Sequence, residues 1–176
     1  MKKKIIDPNK GILFWVTGLS GSGKTTLAKK IKKDIENLYG PTLLISGDDI
    51  RRIFDYQKYT AEERYSLVIK YRKFAKFITN QNINLIFAVV GMMDSVRNWY
   101  KKNIPNYIEI YIKADLKKII KTKKKKIYHK KNAGDIVGIN IKPEFPKNPN
   151  ILLKNNLKQD INLLAKDLVN KIKKII

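Results

Sequence analysis

The 176-residue chain contains no cysteine and one histidine, His129. Without cysteine there are no disulfides, no thiolate nucleophile and no cysteine-based zinc site, and a single histidine excludes a histidine-pair metal centre. Absence of cysteine fits a reducing cytoplasm, the location expected here. Long apolar runs are also missing. The longest, Leu85 to Met93, falls far short of the ~20 residues that cross a bilayer. Met1 to Ile6 begins like a signal peptide, but Asp7, Pro8 and Lys10 interrupt it before an apolar stretch forms. Acidic residues are scarce, 15 against 38 basic, for a net charge of +23. Such an excess attracts polyanions, either nucleic acid or nucleotides with several phosphates. The lysines, however, are spread along the chain with abundant Ile and Asn, as codon bias in an AT-rich genome would leave them. Few aromatics sit among them to stack bases, so no nucleic-acid partner is expected.

Hydrophobic residues make up 43% of the chain, enough for one cored domain spanning 1–176. Ile12–Thr17, Thr42–Ser46, Ile83–Val90, Tyr107–Ile112 and Ile151–Leu153 read as strands, apolar enough to be buried on both faces. Between them, Lys24–Tyr39 has apolar residues at helical spacing and is stopped by Gly40-Pro41. Thr60 with Glu63 three residues later opens a helix to about Asn80, and Asp115–Lys126 and Lys158–Ile176 complete the set. Strands alternating with helices predict a five-stranded parallel sheet covered on both sides, a three-layer α/β/α fold. Gly134, Gly138, Pro143, Pro146 and Pro149 mark a loop, and 121–149 is the expected lid. Seven lysines between Lys121 and Lys131 read as a solvated helix end, as lid cations that close over phosphates, or as a nucleic-acid patch.

Gly18-Leu19-Ser20-Gly21-Ser22-Gly23-Lys24-Thr25 satisfies G-x-x-x-x-G-K-[ST], entered by an apolar strand and left by an amphipathic helix. The glycines let the backbone curl so that successive N–H groups face one anion, and the helix start adds partial positive charge. Gly18, Ser20, Gly21, Ser22, Gly23, Lys24, Thr25 and Thr26 are the candidate ATP-binding residues. Lys24 would reach the β- and γ-phosphates, and the Thr25 hydroxyl would ligate Mg²⁺. A GTPase should also carry N-K-x-D, which is absent, and Asp135-Ile136-Val137-Gly138 lies in the wrong place for its D-x-x-G. No apolar strand ends in the Asp-Glu of a motor ATPase. A small-molecule kinase is the natural fit at this size, and a nucleic-acid-binding module that retains ATP binding is the alternative from another class.

The second strand ends in Ser46-Gly47-Asp48-Asp49-Ile50-Arg51-Arg52. In a parallel sheet such strand ends line the ligand crevice, where Asp48 can take the acceptor hydroxyl's proton. Capping of a turn by Asp48 is the plainer alternative.

These segments resemble the adenylylsulfate (APS) kinase family over nearly the whole chain. Residues 18–28 look like its phosphate loop, Gly47-Asp48-Asp49-Ile50-Arg51 like its D-G-D-N-[IV]-R segment, and Glu63-Arg64 like the start of its arginine-bearing helix. Ile127-Tyr128-His129-Lys130 with Gly134 is similar to its lid, and Pro143-Glu144 with Pro149 to its P-Y-E-A-P-x-N-P stretch. The resemblance implies phosphorylation of the ribose 3′-hydroxyl of adenylyl sulfate by Mg-ATP. It gives Asp48 the catalytic-acid position, Arg51 and Arg64 nucleotide-gripping positions and Tyr59 a stacking position on the acceptor base. Lys125 and Tyr128 would belong to the lid, and the family's frequent dimers leave a homodimer open. Four positions depart from its pattern. Ser46 replaces the first acid of D-G-D, and Leu67 an expected asparagine. Gly91-Met92-Met93-Asp94-Ser95-Val96-Arg97 replaces S-P-[FY]-R-x-x-R and keeps only the last arginine, and Ile139 stands for the lid phenylalanine. The ATP side is kept and the acceptor side has changed. Adenylyl sulfate is therefore the first expectation for the acceptor, with cytidine diphosphoramidate, used by a branch of the family, as the alternative.

Overall fold

The computed structural model describes residues 3–56, 61–122 and 135–176. Its centre is β1 (Leu13–Thr17), buried at every residue. Around it lie β2 (Thr42–Ser46), β3 (Asn84–Val89), β4 (Tyr107–Lys113) and β5 (Ile151–Lys154), in the order β2-β3-β1-β4-β5. Every pairing is parallel. Side chains alternate across a strand, so β1 feeds two cores. Phe14 and Val16 pack with Leu27, Ile31 and Ile35 of α1 (Lys24–Tyr39) and with Leu164, Leu168 and Ile172 of α6 (Ile161–Ile175). Leu13 and Trp15 face the other way, onto Leu67, Tyr71 and Ala75 of α3 (Ala61–Asn80) and Val96 and Tyr100 of α4 (Asp94–Asn103). The three layers expected from the alternating pattern are present.

Buried polar groups fix the strand entries. Asn84 accepts from the Ile12 amide at 2.9 Å and donates to the Tyr39 carbonyl at 2.9 Å. Asn106 donates to the Asp7 and Lys10 carbonyls at 2.9 and 2.7 Å. Each satisfies backbone that water cannot reach.

Strand limits differ from the expected ones by a residue or two. Two helices, α2 (Gly47–Ile53) and α4, were not expected, because each is short and follows a strand end with little apolar periodicity of its own. Helix α5 (Leu116–Lys121) is capped by the Asp115 carboxylate and ends with Thr122 as C-cap, where a run to Lys126 was expected; 123–126 lie outside the described residues, as does Thr60. Helix α6 starts three residues later than expected, where Asp160 caps it. No helix among the described residues is long and apolar enough to cross a membrane.

Leu168 is fully buried between α6 and the sheet, whereas Leu163, on the same helix, is 65% exposed. Leu168→Ala should cost about 2–5 kcal/mol through lost contacts and an unfilled cavity. Leu163→Ala should stay within about 0.5 kcal/mol. Denaturant unfolding of the two variants checks the contrast.

Candidate active site

The turn 18–23 leaves the C-terminal end of the central strand, so the sheet aims it at the crevice. Gly23 is the N-cap of α1 with φ 94°, and a Cβ there would lie 2.6 Å from Asn155 Nδ2. Only glycine fits both the backbone angle and the space. Asn155, itself buried, donates to the Ser22 carbonyl at 3.0 Å and holds the turn from the β5 side. The start of α1 has no side-chain cap, so its first amides remain available to an anion. Ser22 Oγ is buried without a hydrogen-bond partner beside them. Lys24 is buried, and its ammonium donates to the Leu19 carbonyl at 2.8 Å across the turn. Thr25 is partly exposed and Thr26 exposed at the start of α1. Uncapped amides, an orphaned hydroxyl, a lysine folded over the turn and a threonine after it suit a nucleotide triphosphate with a magnesium ion.

The second strand end is built by a cap. Ser46 is the N-cap of α2; its hydroxyl accepts from the Asp49 amide at 3.3 Å, and Asp49 Oδ2 accepts from the Ser46 amide at 2.9 Å. This capping box, S-x-x-D, gives both acids a place. Asp49 is occupied by the cap and by Arg52 at 2.8 Å, while Asp48 is exposed at the mouth of the crevice. The capping role considered for Asp48 therefore belongs to Ser46, the residue that departs from the family's D-G-D. Hydrogen bonds from the Ser46 hydroxyl and amide hold the Asp49 carboxyl below its ordinary range.

Beside these ends opens a cavity of about 640 Å³. Its polar lining includes Ser20, Asp48, Arg51, Arg64 and Lys142, and its apolar floor includes Trp15, Leu67, Val68, Tyr71, Met92 and Val96. Arg64 donates to the Asp135 carbonyl, fastening the following loop to α3. Arg51 lies 3.9 Å from Glu63. Gly91, with φ 47°, lies against the indole of Trp15, which a Cβ there would strike. Backbone and ring can meet there because the side chain is absent.

Ser20, Asp48, Arg51 and Arg64, singled out separately in the sequence, line one cavity. Ile139 does not. It is 55% exposed and away from the wall, whereas Ile136, 8% exposed, lines it. The turn between them explains the difference: Gly138 and Ile141 bond to each other, and the Ile139 amide donates to the Ile136 carbonyl, so Ile139 rides outside. Tyr59, Lys125, Tyr128 and His129 lie outside the described residues. Met92 is buried and lines the cavity, Trp99 packs on Tyr100, and Tyr100 packs on Trp15 within the core. Sequence reading did not find Tyr65 or Lys142 as lining residues; Tyr65 follows Arg64 directly, which was the signal available.

An uncapped glycine-rich turn beside a cavity with an acid, two arginines and an apolar floor has the parts of a P-loop kinase. The profile of the adenylylsulphate kinase family matches residues 10–154, and the chain belongs to that family. The family makes it a kinase, a phosphotransferase. A cytidine diphosphoramidate kinase from Campylobacter jejuni is 32% identical over 166 residues, covering 91% of this chain and 98% of that protein. An adenylyl-sulfate kinase from Clostridium kluyveri is 30% identical over 162 residues, covering 89% and 81%. The Mycobacterium tuberculosis APS kinase solved with AMPPNP and APS shares the fold, with TM-score 0.78 and 20% identity over 94% of this chain and 99% of that one.

Removing the cap by Ser46→Ala should cost about 1 kcal/mol at neutral pH, a fall in Tm of about 2–4 °C. Because the folded-state pKa of Asp49 is depressed, this contribution is complete at neutral pH and fades as pH falls below the ordinary aspartate value of about 4. Melting curves at pH 7 and pH 3 should show the gap between wild type and variant narrowing in acid.

Proposed function

We propose that this enzyme moves the γ-phosphate of Mg-ATP to the ribose 3′-hydroxyl of a cytidine diphosphate derivative, cytidine diphosphoramidate being the acceptor that suits the cavity best. The observation that carries the choice is the wall of the cavity. Leu67 and Met92 stand there, where the family pattern calls for an asparagine and a Ser-Pro-aromatic segment, and Ile139, at the phenylalanine position, is exposed outside the wall. Loss of one stacking face weakens the hold on a purine by about 1–3 kcal/mol, and a smaller pyrimidine loses less. The likeness to the Campylobacter jejuni kinase over 98% of that protein supports the same choice. Adenylyl sulfate, put first by the sequence, is the second reading, favoured by the family profile and by relatives such as that of Clostridium kluyveri.

In the proposed mechanism the amides of 18–25 and Lys24 hold the triphosphate, and Asp48 accepts the proton of the attacking hydroxyl. Arg51 and Arg64 orient the acceptor and offset charge on its phosphates. Thr25 would be the protein ligand of magnesium, which when bound neutralises the charge spread over the β- and γ-oxygens. No covalent enzyme intermediate is required, so rate comes from placement and electrostatics. One domain with a lid over about 121–149, Lys125 and Tyr128 within it, a cytoplasmic location and a homodimer complete the proposal; they rest on the resemblance.

Asp48→Asn should lower kcat by about 10²–10⁴-fold and leave ATP affinity within about threefold, since Asp48 is placed on the acceptor side. An unchanged kcat would remove Asp48 as the base. For the acceptor, ADP release should be faster with cytidine diphosphoramidate than with adenylyl sulfate, CDP or ADP. Faster turnover of adenylyl sulfate would restore the second reading.

A further inference from the structure

Arg97 and Glu144, the second a lining residue of the cavity, connect the two loops that rim it. Arg97 of α4 is 2% exposed, yet its guanidinium reaches three separate pieces of chain. It donates to the Gly91 carbonyl at 3.3 Å, to the Asp94 carboxylate, and to the Glu144 carbonyl at 2.7 Å, and its Nε lies 3.2 Å from Glu109 of β4. Glu109 is 1% exposed and is faced also by Lys101 at 3.2 Å. Burial pushes its carboxyl up, while Lys101 and Arg97 pull it back toward the ionised form. Glu144 closes the other side. Its amide donates to the Met92 carbonyl at 3.1 Å, and its carboxylate accepts from the Asp94 amide. The segments so joined, Gly91–Asp94 and Ile141–Glu144, both carry residues of the cavity wall.

A buried guanidinium with its fork divided among separate segments fixes their spacing more tightly than a single contact could, because its donors are rigidly related. We infer that Arg97 and Glu144 form a clasp that sets the width of the acceptor end of the cavity, acting as positioning residues rather than touching the substrate. Glu109 anchors the clasp to the sheet. The nucleotide-holding turn stands on other elements, so the clasp governs acceptor binding and leaves the ATP side alone. This inference rests on the cavity being the acceptor's site.

Glu144 is exposed, and its removal leaves the core intact. With cytidine diphosphoramidate or adenylyl sulfate, whichever turns over faster, Glu144→Ala should raise the acceptor KM roughly tenfold, as expected for loss of a charge-assisted bond between the loops. The ATP KM should stay within about twofold. Glu144→Gln, which keeps an acceptor oxygen for the Asp94 amide, should restore most of the loss. Arg97→Lys, which keeps the charge opposite Glu109 but loses the fork, should raise the acceptor KM further. An unchanged acceptor KM in Glu144→Ala, an equal rise in ATP KM, or no recovery in Glu144→Gln overturns the clasp. Met92→Trp, which fills the floor of the cavity, separates the two failures. If it blocks acceptor turnover while Glu144→Ala has no effect, the clasp alone is wrong. If it leaves turnover unchanged, the cavity is not the acceptor's site.

Discussion

The structure depends on a run of backbone amides at the one place where the central strand gives way to a helix. The last residue of β1 is buried in the middle of five parallel strands, and only six residues separate it from the first turn of α1, so the intervening turn cannot drift. Gly23 permits the left-handed entry to the helix, and Asn155 from beyond β5 ties the turn down by its Ser22 carbonyl. A nest of this kind attracts phosphate through fixed dipoles and pays little reorganisation when it binds. The two cores exist, from the site's point of view, to keep that nest where it is.

The cavity beside the turn follows a different logic. Its polar members come from α2 and α3, and its apolar floor from β1, α3 and the β3–α4 connection. Helix α2 is held by the Ser46–Asp49 cap, which leaves Asp48 facing the cavity. Family proteins with an acid at position 46 would carry a negative charge where this chain carries a neutral hydroxyl. The substitution preserves the start of the helix, because serine caps as well as aspartate does. Thus local architecture is kept while the electrostatics at this strand end change. At Leu67 and Met92 the floor carries an aliphatic and a thioether side chain, which adapt in shape.

The sheet and the phosphate turn were legible because both depend on local rules. Apolar strands between turn residues announce buried parallel strands, and the glycine spacing of 18–25 has one common physical use. Helices α2 and α4 were not legible from periodicity, since they are short and their buried faces are set by the strands beneath them. The S-x-x-D box at Ser46 was a sufficient signal for α2 and was read instead as a substituted acid. Arg97 and Glu109 meet only through the pairing of α4 with β4, twelve residues apart in sequence, and no spacing rule finds such a pair. Ile139 shows the limit of counting along a loop. A tight turn put Ile136 in the wall, three residues earlier.

Calorimetric titration of the purified chain, with magnesium present, against ATP, ADP and adenosine tests the central claim most directly. If the amide nest supplies the binding energy, both phosphorylated ligands bind one per chain and adenosine gives no measurable heat. A protein that ignores ATP, or that takes adenosine as tightly as ATP, would contradict it.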